Sequence, residues 1–216
     1  MKEWKGNYNA ACAQKGVKSD HTTIGREPDD FYATDPVALE KLLDGCSSTL
    51  KGIFFAYSRW NIWEPACGTG NLAEVLVKRG YHVIATDLKD RGYGMPGYDF
   101  LVTNNFGTKG TSSFMAPIII TNPPYSLANE FIMHALDILP VGGVYAALMN
   151  ITYLAGQKRY QNIYSKGSLK EVYIFSKRVE CWRNNDKEKY GASPMVDFAW
   201  YIFQKGYKGQ PTMYWL

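Results

Sequence analysis

The 216-residue sequence predicts a three-layer α/β fold around a mostly parallel sheet of seven strands, ending in an antiparallel hairpin. Three observations lead there. Residues 117–121, Pro-Ile-Ile-Ile-Thr, are β-branched and uncharged, the pattern of a strand buried on both faces of a parallel sheet. Residues 61–76 run from a short apolar strand through a turn with two glycines into a helix with one apolar face, which is the opening of a crossover unit. With 46% hydrophobic residues the chain can bury a substantial core, and it divides most simply into a polar arm, residues 1–28, and one domain, residues 29–216.

The elements follow in order. The arm is rich in Lys and Gly. Pro36 opens a helix capped by Thr34 or Asp35, whose Leu39, Leu42 and Leu43 face inward. Phe31 and Tyr32, just before the cap, either join the core or cover a ligand over the sheet edge. The strand before Gly68 and Gly70 leads to a helix carrying Leu72, Val75 and Leu76 on one face. Glycines at such a bend let backbone approach a bound ligand closely. Residues 82–86 form the next strand and end at Asp87, 17 positions past Gly70, where an acid accepts hydrogen bonds from ribose hydroxyls. Asp99 and Phe100 follow on a Gly-rich loop and pair an acceptor with a ring edge. After the strand at 117–121 come a turn, a helix over 127–139 with Leu127, Phe131, Ala135 and Ile138 inward, and a buried strand over 144–149. A helix over 156–165, a strand over 170–175, a long polar segment over 176–196 and a last strand over 197–204 complete the chain.

The turn carries the most chemistry. Asn122-Pro123-Pro124-Tyr125 stands at a strand's carboxyl end, where open α/β sheets bind their ligands. Two successive prolines fix φ and withhold two backbone donors, so carbonyl oxygens there are left to accept. Asn122 Oδ1 and the Pro123 carbonyl suit the two hydrogens of an exocyclic amino group on a planar ring, with Tyr125 stacked on that ring. The alternative is a turn whose tyrosine only packs.

Phe31-Tyr32-Ala33-Thr34-Asp35-Pro36, then Glu64-Pro65-Ala66-Cys67-Gly68-Thr69-Gly70-Asn71, then Asp87, Asp99-Phe100 and Asn122-Pro123-Pro124-Tyr125, together resemble the S-adenosylmethionine-dependent DNA adenine-N6 methyltransferases, in the small form of phages and prophages. The resemblance spans about residues 29–204 and departs from the common pattern in Asp35, where a shorter Thr-Pro is usual. It implies a Rossmann-like class I methyltransferase fold and S-adenosyl-L-methionine as cofactor. Tyr32, Thr34 and Pro36 are implied to hold the methionine moiety, with Glu64, Ala66, Cys67, Gly68 and Gly70 lining it. Asp87 is implied at the ribose, Asp99 and Phe100 at the adenine, and Leu88 is a further expected cofactor-binding residue. Asn122, Pro123 and Tyr125 are implied as the catalytic set, acting on an adenine flipped out of DNA. Trp182, close after the pair Arg178-Val179, is the implied second wall for that base, with Cys181 as the other occupant of the position.

Charge distribution fits a DNA partner. Residues 151–216 hold 11 Lys and Arg against 5 Asp and Glu, whereas residues 1–150 hold 13 against 15. Arg178, Arg183, Lys187 and Lys189, interspersed with Trp182 and Tyr190, suit phosphates and stacked bases, the alternative being a solvated basic surface. No apolar stretch reaches membrane-spanning length and the polar start lacks a signal-peptide core, so a cytoplasmic monomer or weak dimer without membrane partner is expected. The four cysteines and three histidines show neither paired-cysteine nor zinc-ligand spacing, so no metal is expected. Enzymes that methylate RNA bases or a protein glutamine amide share Asn-Pro-Pro-Tyr, but the elements at 31–36 and 64–65 favour DNA adenine. A catalytically silent nucleic-acid-binding protein on the same fold is the third reading, and the intact Asn122 and Tyr125 argue against it.

Overall fold

The isoleucines at 118, 119 and 120 alternate between the two faces of the sheet and are all buried, as a central strand covered on both sides requires. The computed structural model describes residues 31–57, 61–103, 116–183 and 196–216, with backbone alone at 182 and 183. In chain order it contains β1 (Tyr32–Thr34), α1 (Val37–Gly45), α2 (Ser48–Ala56), β2 (Asn61–Glu64), α3 (Asn71–Lys78), β3 (His82–Asp87), β4 (Met95–Pro96) and β5 (Ile118–Thr121). It continues with α4 (Ala128–Ile138), β6 (Val144–Asn150), α5 (Gln157–Asn162), β7 (Leu169–Ile174), β8 (Cys181–Arg183), β9 (Phe198–Gln204) and β10 (Thr212–Trp215).

Eight strands form the main sheet in the order β10-β7-β9-β6-β5-β2-β3-β4. Within it β9 alone runs antiparallel, pairing with β6 and β7. From β2 the chain builds outward through β3 to β4, then crosses back to place β5 on the other side of β2. Strand order thus reverses at β2 and β5, and their carboxyl ends flank a crevice, the usual ligand position in such sheets. A separate two-stranded ribbon pairs β1 with β8, setting Thr34 opposite Cys181 and Tyr32 opposite Arg183.

Each face has its own core. Leu39, Leu42, Leu50, Phe54, Leu72 and Leu76 cover one face against Ile118, Ile120, Trp200 and Ile202. On the other, Phe131, Ile132 and Ala135 of α4 pack with Trp63, Ile119, Tyr145, Tyr201 and Phe203. Trp200 is fully buried and spends its indole N–H on the Ala38 carbonyl at 2.9 Å, tying α1 to β9.

The expected α/β architecture is present, with differences that have local causes. The sheet holds eight strands rather than seven: Met95–Pro96 and Thr212–Trp215, neither placed in a strand by the sequence reading, add parallel edge strands to β3 and β7. Helix α2 is set by Ser47, whose hydroxyl accepts from the Leu50 N–H at 3.1 Å. The polar segment expected over 176–196 contains β8. Helix α4 starts only at Ala128, after a 3₁₀ turn over Tyr125–Leu127, so its buried face is Ala128, Phe131, Ile132 and Ala135, and Leu127 is exposed. At α1, Asp35 Oδ1 accepts from the Val37 N–H at 3.0 Å and supplies the cap. The arm at 1–28 lies outside the described residues.

Candidate functional site

Strand β2 ends in Glu64, and the chain then turns through Gly68 and Gly70 at φ of +56° and +86° into α3. The turn is fastened to the end of β3: the Cys67 N–H donates to the Thr86 carbonyl at 2.9 Å, and the Trp63 indole donates to Thr86 Oγ1 at 2.9 Å. Asp87 completes the join. Its Oδ2 accepts from the Gly68 N–H and its Oδ1 from the Lys89 N–H, both at 2.9 Å, with the Arg91 guanidinium 3.8 Å away. The close approaches that require glycine are made by the protein itself. A Cβ on Gly68 would lie 2.4 Å from the Phe31 ring, and one on Gly70 2.4 Å from the Tyr93 ring.

A cleft of about 250 Å³ opens over this turn. All the predicted cofactor residues except Pro36 and Gly70 line it: Tyr32, Thr34, Glu64, Ala66, Cys67, Gly68, Asp87, Leu88, Asp99 and Phe100. Pro36 instead precedes α1, and Gly70 underlies Tyr93. Phe100 is nearly all core, edge-on to Trp63 at 5.1 Å and against Phe131 at 4.7 Å. Asp99 Oδ1 caps the short turn after it by accepting from the Leu101 N–H at 3.0 Å. Arg91 lies over the Phe31 ring, 4.1 Å from its centroid, and bridges that ring to Asp87.

Two chemical features of the cleft wall stand out. Glu64 is buried with its Oε2 unpaired among the described residues, and desolvation pushes its pKa well above the carboxylic-acid range against the pull of the Ala73 N–H. Burial likewise holds the Cys67 thiol up at about 12, so it carries no thiolate at neutral pH.

Asn122 meets the cleft from the end of β5. Its Nδ2 donates to Thr34 Oγ1 at 3.0 Å and to the Tyr32 carbonyl at 3.3 Å. The carbonyl is an acceptor only, so the opposite flip of the amide would set two oxygens against each other. Asn122 Oδ1 is buried and has no hydrogen-bond partner among the described residues. Thr34, itself buried, is held in turn by Asn71 Nδ2, which donates to its carbonyl at 2.9 Å. Tyr125 stands beside the cleft with its ring stacked on Tyr32, centroids 5.4 Å apart and planes at 24°. The Tyr153 hydroxyl donates to the Tyr125 carbonyl at 2.6 Å.

Sequence reasoning missed the tie of Thr34 to Asn122, the Asn71 bond behind it and the Tyr153 brace. Of the predicted DNA-binding residues, Arg178 is paired with Asp197 at 2.6 Å, both side chains about half exposed. Cys181 comes within 4.0 Å of Asn122 Nδ2, and burial holds its thiol at about 12. Trp182 and Arg183 stand on β8 with side chains outside the described residues, where Lys187 and Lys189 also lie. Among the described residues no helix is long and apolar enough to cross a membrane.

No protein-family profile and no curated protein matches this sequence. Solved structures do match. A candidate class I S-adenosylmethionine-dependent methyltransferase from Listeria monocytogenes aligns at a TM-score of 0.55 and 12% identity, over 90% of this chain and 68% of its own. A candidate hemolysin from Lactococcus lactis aligns at 0.52 and 14% identity, over 82% and 91%. The fold is that of class I methyltransferases. At these identities the likeness is one of fold alone.

Proposed function

We propose that this protein transfers a methyl group from S-adenosylmethionine to the exocyclic N6 of an adenine in DNA. The observation that carries the reading is the Asn122 amide: its NH₂ is held by Thr34 and Tyr32, and its Oδ1 is a buried acceptor at the wall of the cleft, without partner among the described residues. A buried acceptor left unpaired costs free energy that a donor from outside can recover. With the Pro123 carbonyl, Asn122 Oδ1 matches the two hydrogens of an exocyclic amino group on a planar base. Accepting both draws the nitrogen lone pair out of the ring and raises its nucleophilicity, an electrostatic and positional effect that needs no strong base. Tyr125 supplies the stacking surface that replaces the base's neighbours in the duplex. Tyr32 covers that ring, so stacking on the same face displaces Tyr32.

The cleft fits the cofactor. Glu64 offers a carboxyl oxygen, unpaired among the described residues, to the methionine ammonium, and Asp87, a carboxylate with lone pairs beyond the two already used, can take ribose hydroxyls. S-adenosylmethionine supplies there an electrophilic methyl group on a sulfonium. The test is direct. Purified protein is incubated with S-adenosylmethionine and adenine-containing duplex, and the digested nucleosides are read by mass spectrometry. N6-methyldeoxyadenosine is expected; its absence, with methyl transfer to RNA or to a glutamine peptide in parallel reactions, replaces the DNA reading with one of those.

A further inference from the structure

We infer that residues 154–162, the loop into α5 and α5 itself, form the surface that contacts the DNA duplex flanking the target base. The inference rests on the DNA reading above and names the recognition element that it lacks.

Position comes first. Strand β6 runs parallel beside β5, so the segment leaving its carboxyl end emerges at the same sheet edge as the Asn122 turn. The segment is registered to that turn by the Tyr153 hydroxyl on the Tyr125 carbonyl, and the Tyr164 hydroxyl holds the Tyr153 carbonyl at 2.6 Å.

Arg159 then makes the segment rigid. Its guanidinium folds inward over the Tyr153 ring, 4.6 Å from the centroid. Its Nε donates to the carbonyls of Tyr153 at 3.1 Å and Ala155 at 2.9 Å, and Nη2 donates to Thr152 at 3.3 Å and also to Ala155. Gly156, at φ +123°, leaves room for this: a Cβ there would stand 3.0 Å from the guanidinium. Arg159 is therefore a staple, and the basic residue left for a partner is Lys158.

What remains outward suits a duplex. Gln157, Lys158, Tyr160, Gln161 and Asn162 are all exposed, Tyr160 at 63%. No Asp or Glu occurs from residue 151 to residue 170, so nothing on the segment repels phosphate. Lys158 offers a phosphate contact, and Gln and Asn amides are the groups that bond adenine bidentately at a groove edge. A stapled, acid-free projection next to the catalytic turn has the rigidity that a reading element needs. Duplex DNA is the occupant because the charge is complementary and the surface continues from the base site.

The experiment uses the full chain and two exposed-face variants, Lys158→Ala with Tyr160→Ala, and Gln157→Ala with Gln161→Ala and Asn162→Ala. Binding of a fluorescent duplex is followed across a salt series, and methylated sites in a random-sequence duplex library are read by modified-base sequencing. The first variant is expected to flatten the slope of log affinity against log salt by about one unit. The second is expected to relax preference at positions flanking the adenine. S-adenosylmethionine affinity should stay at the wild-type value in both. A wild type that methylates DNA while both variants keep its salt slope and site profile overturns this inference alone. A wild type that leaves every duplex unmethylated overturns the DNA reading and this inference with it, as does tighter binding to an RNA hairpin than to the duplex.

Discussion

On the side of the cleft formed after β2 and β3 the chain ties down its polar groups other than Glu64 Oε2: Asp87 takes two backbone N–H groups, Thr86 takes two more donors, and rings close over both glycines. On the side formed after β5, only the NH₂ half of the Asn122 amide is tied, and the acceptor half is left without partner among the described residues. The first arrangement is a cradle whose shape exists before any ligand arrives. The second is an incomplete hydrogen-bond set, which in the proposed reaction the substrate's amino group completes. Preorganisation thus sits in different bonds on the two sides: in backbone bonds around Asp87, and in side-chain bonds from Thr34 around Asn122.

The sharpest way to break this contrast is Asn122→Ala. It should leave a folded protein with unchanged cofactor affinity and lower the single-turnover rate by on the order of 100-fold or more, the scale of losing one preorganised transition-state contact. A rate near wild type would remove the acceptor role and leave Asn122 as a packing residue.

Asp87→Ala tests the cradle and should act on two readouts together. Orphaning the Gly68 and Lys89 N–H groups should lower unfolding stability by on the order of 2–3 kcal/mol, and cofactor affinity should fall roughly 10–100-fold. Calorimetric titration and urea unfolding separate the two. Loss of stability with intact cofactor affinity would make Asp87 a fastener of the turn and nothing more.

Thr34→Val removes the acceptor beside Asn122 Nδ2 at nearly constant shape. The catalytic rate should fall about tenfold, with Thr34→Ser restoring most of it, because positioning partners of a reacting group typically matter at this scale. If both variants lose cofactor affinity instead of rate, Thr34 belongs to the cradle.

Glu64 supplies a pH test of the same border. Burial raises its pKa above the ordinary 4.5, so the folded protein keeps a proton that the unfolded chain releases. Its contribution to stability is therefore full below that value and is lost as pH rises toward the folded-state pKa. Binding a cation beside it releases the proton, so S-adenosylmethionine affinity should rise with pH by up to about tenfold per unit until Glu64 ionises unaided. Glu64→Gln should abolish that slope. A slope unchanged in the variant would assign the coupling to another group.

Sequence alone displayed the groups that depend on local order. The isoleucine run, the Asn-Pro-Pro-Tyr turn after it and the strand ending in Asp87 are readable because a strand's burial and its terminal turn are written in adjacent residues. What escaped depends on distant partners. Thr34 and Asn122 stand 88 positions apart and meet only because the β1–β8 ribbon lies over the end of β5. Gly68 and Gly70 announce a close approach without saying whether a ligand or a ring makes it, and here Phe31 and Tyr93 do. Strand β10 has four residues and relies on β7 for its pairing, so its own periodicity is too short to mark it.

The smallest expected effect concerns Arg178, whose place outside the contrast can be checked. A basic residue near the proposed DNA side invites a phosphate role, but its guanidinium is within 2.6 Å of the Asp197 carboxylate, and both side chains are about half exposed. An exposed pair of this kind is worth at most about 1 kcal/mol and is screened by salt. Arg178→Gln should therefore lower unfolding stability by no more than that and leave the salt slope of DNA binding where the wild type has it. Asp197→Asn separates the two roles further: if Arg178 serves only the pair, the Asn variant should match the Gln variant in stability and in DNA affinity. A slope that falls by about one unit in Arg178→Gln alone would show that phosphate competes with Asp197 for the guanidinium, and would extend the proposed DNA-facing surface to the start of β9.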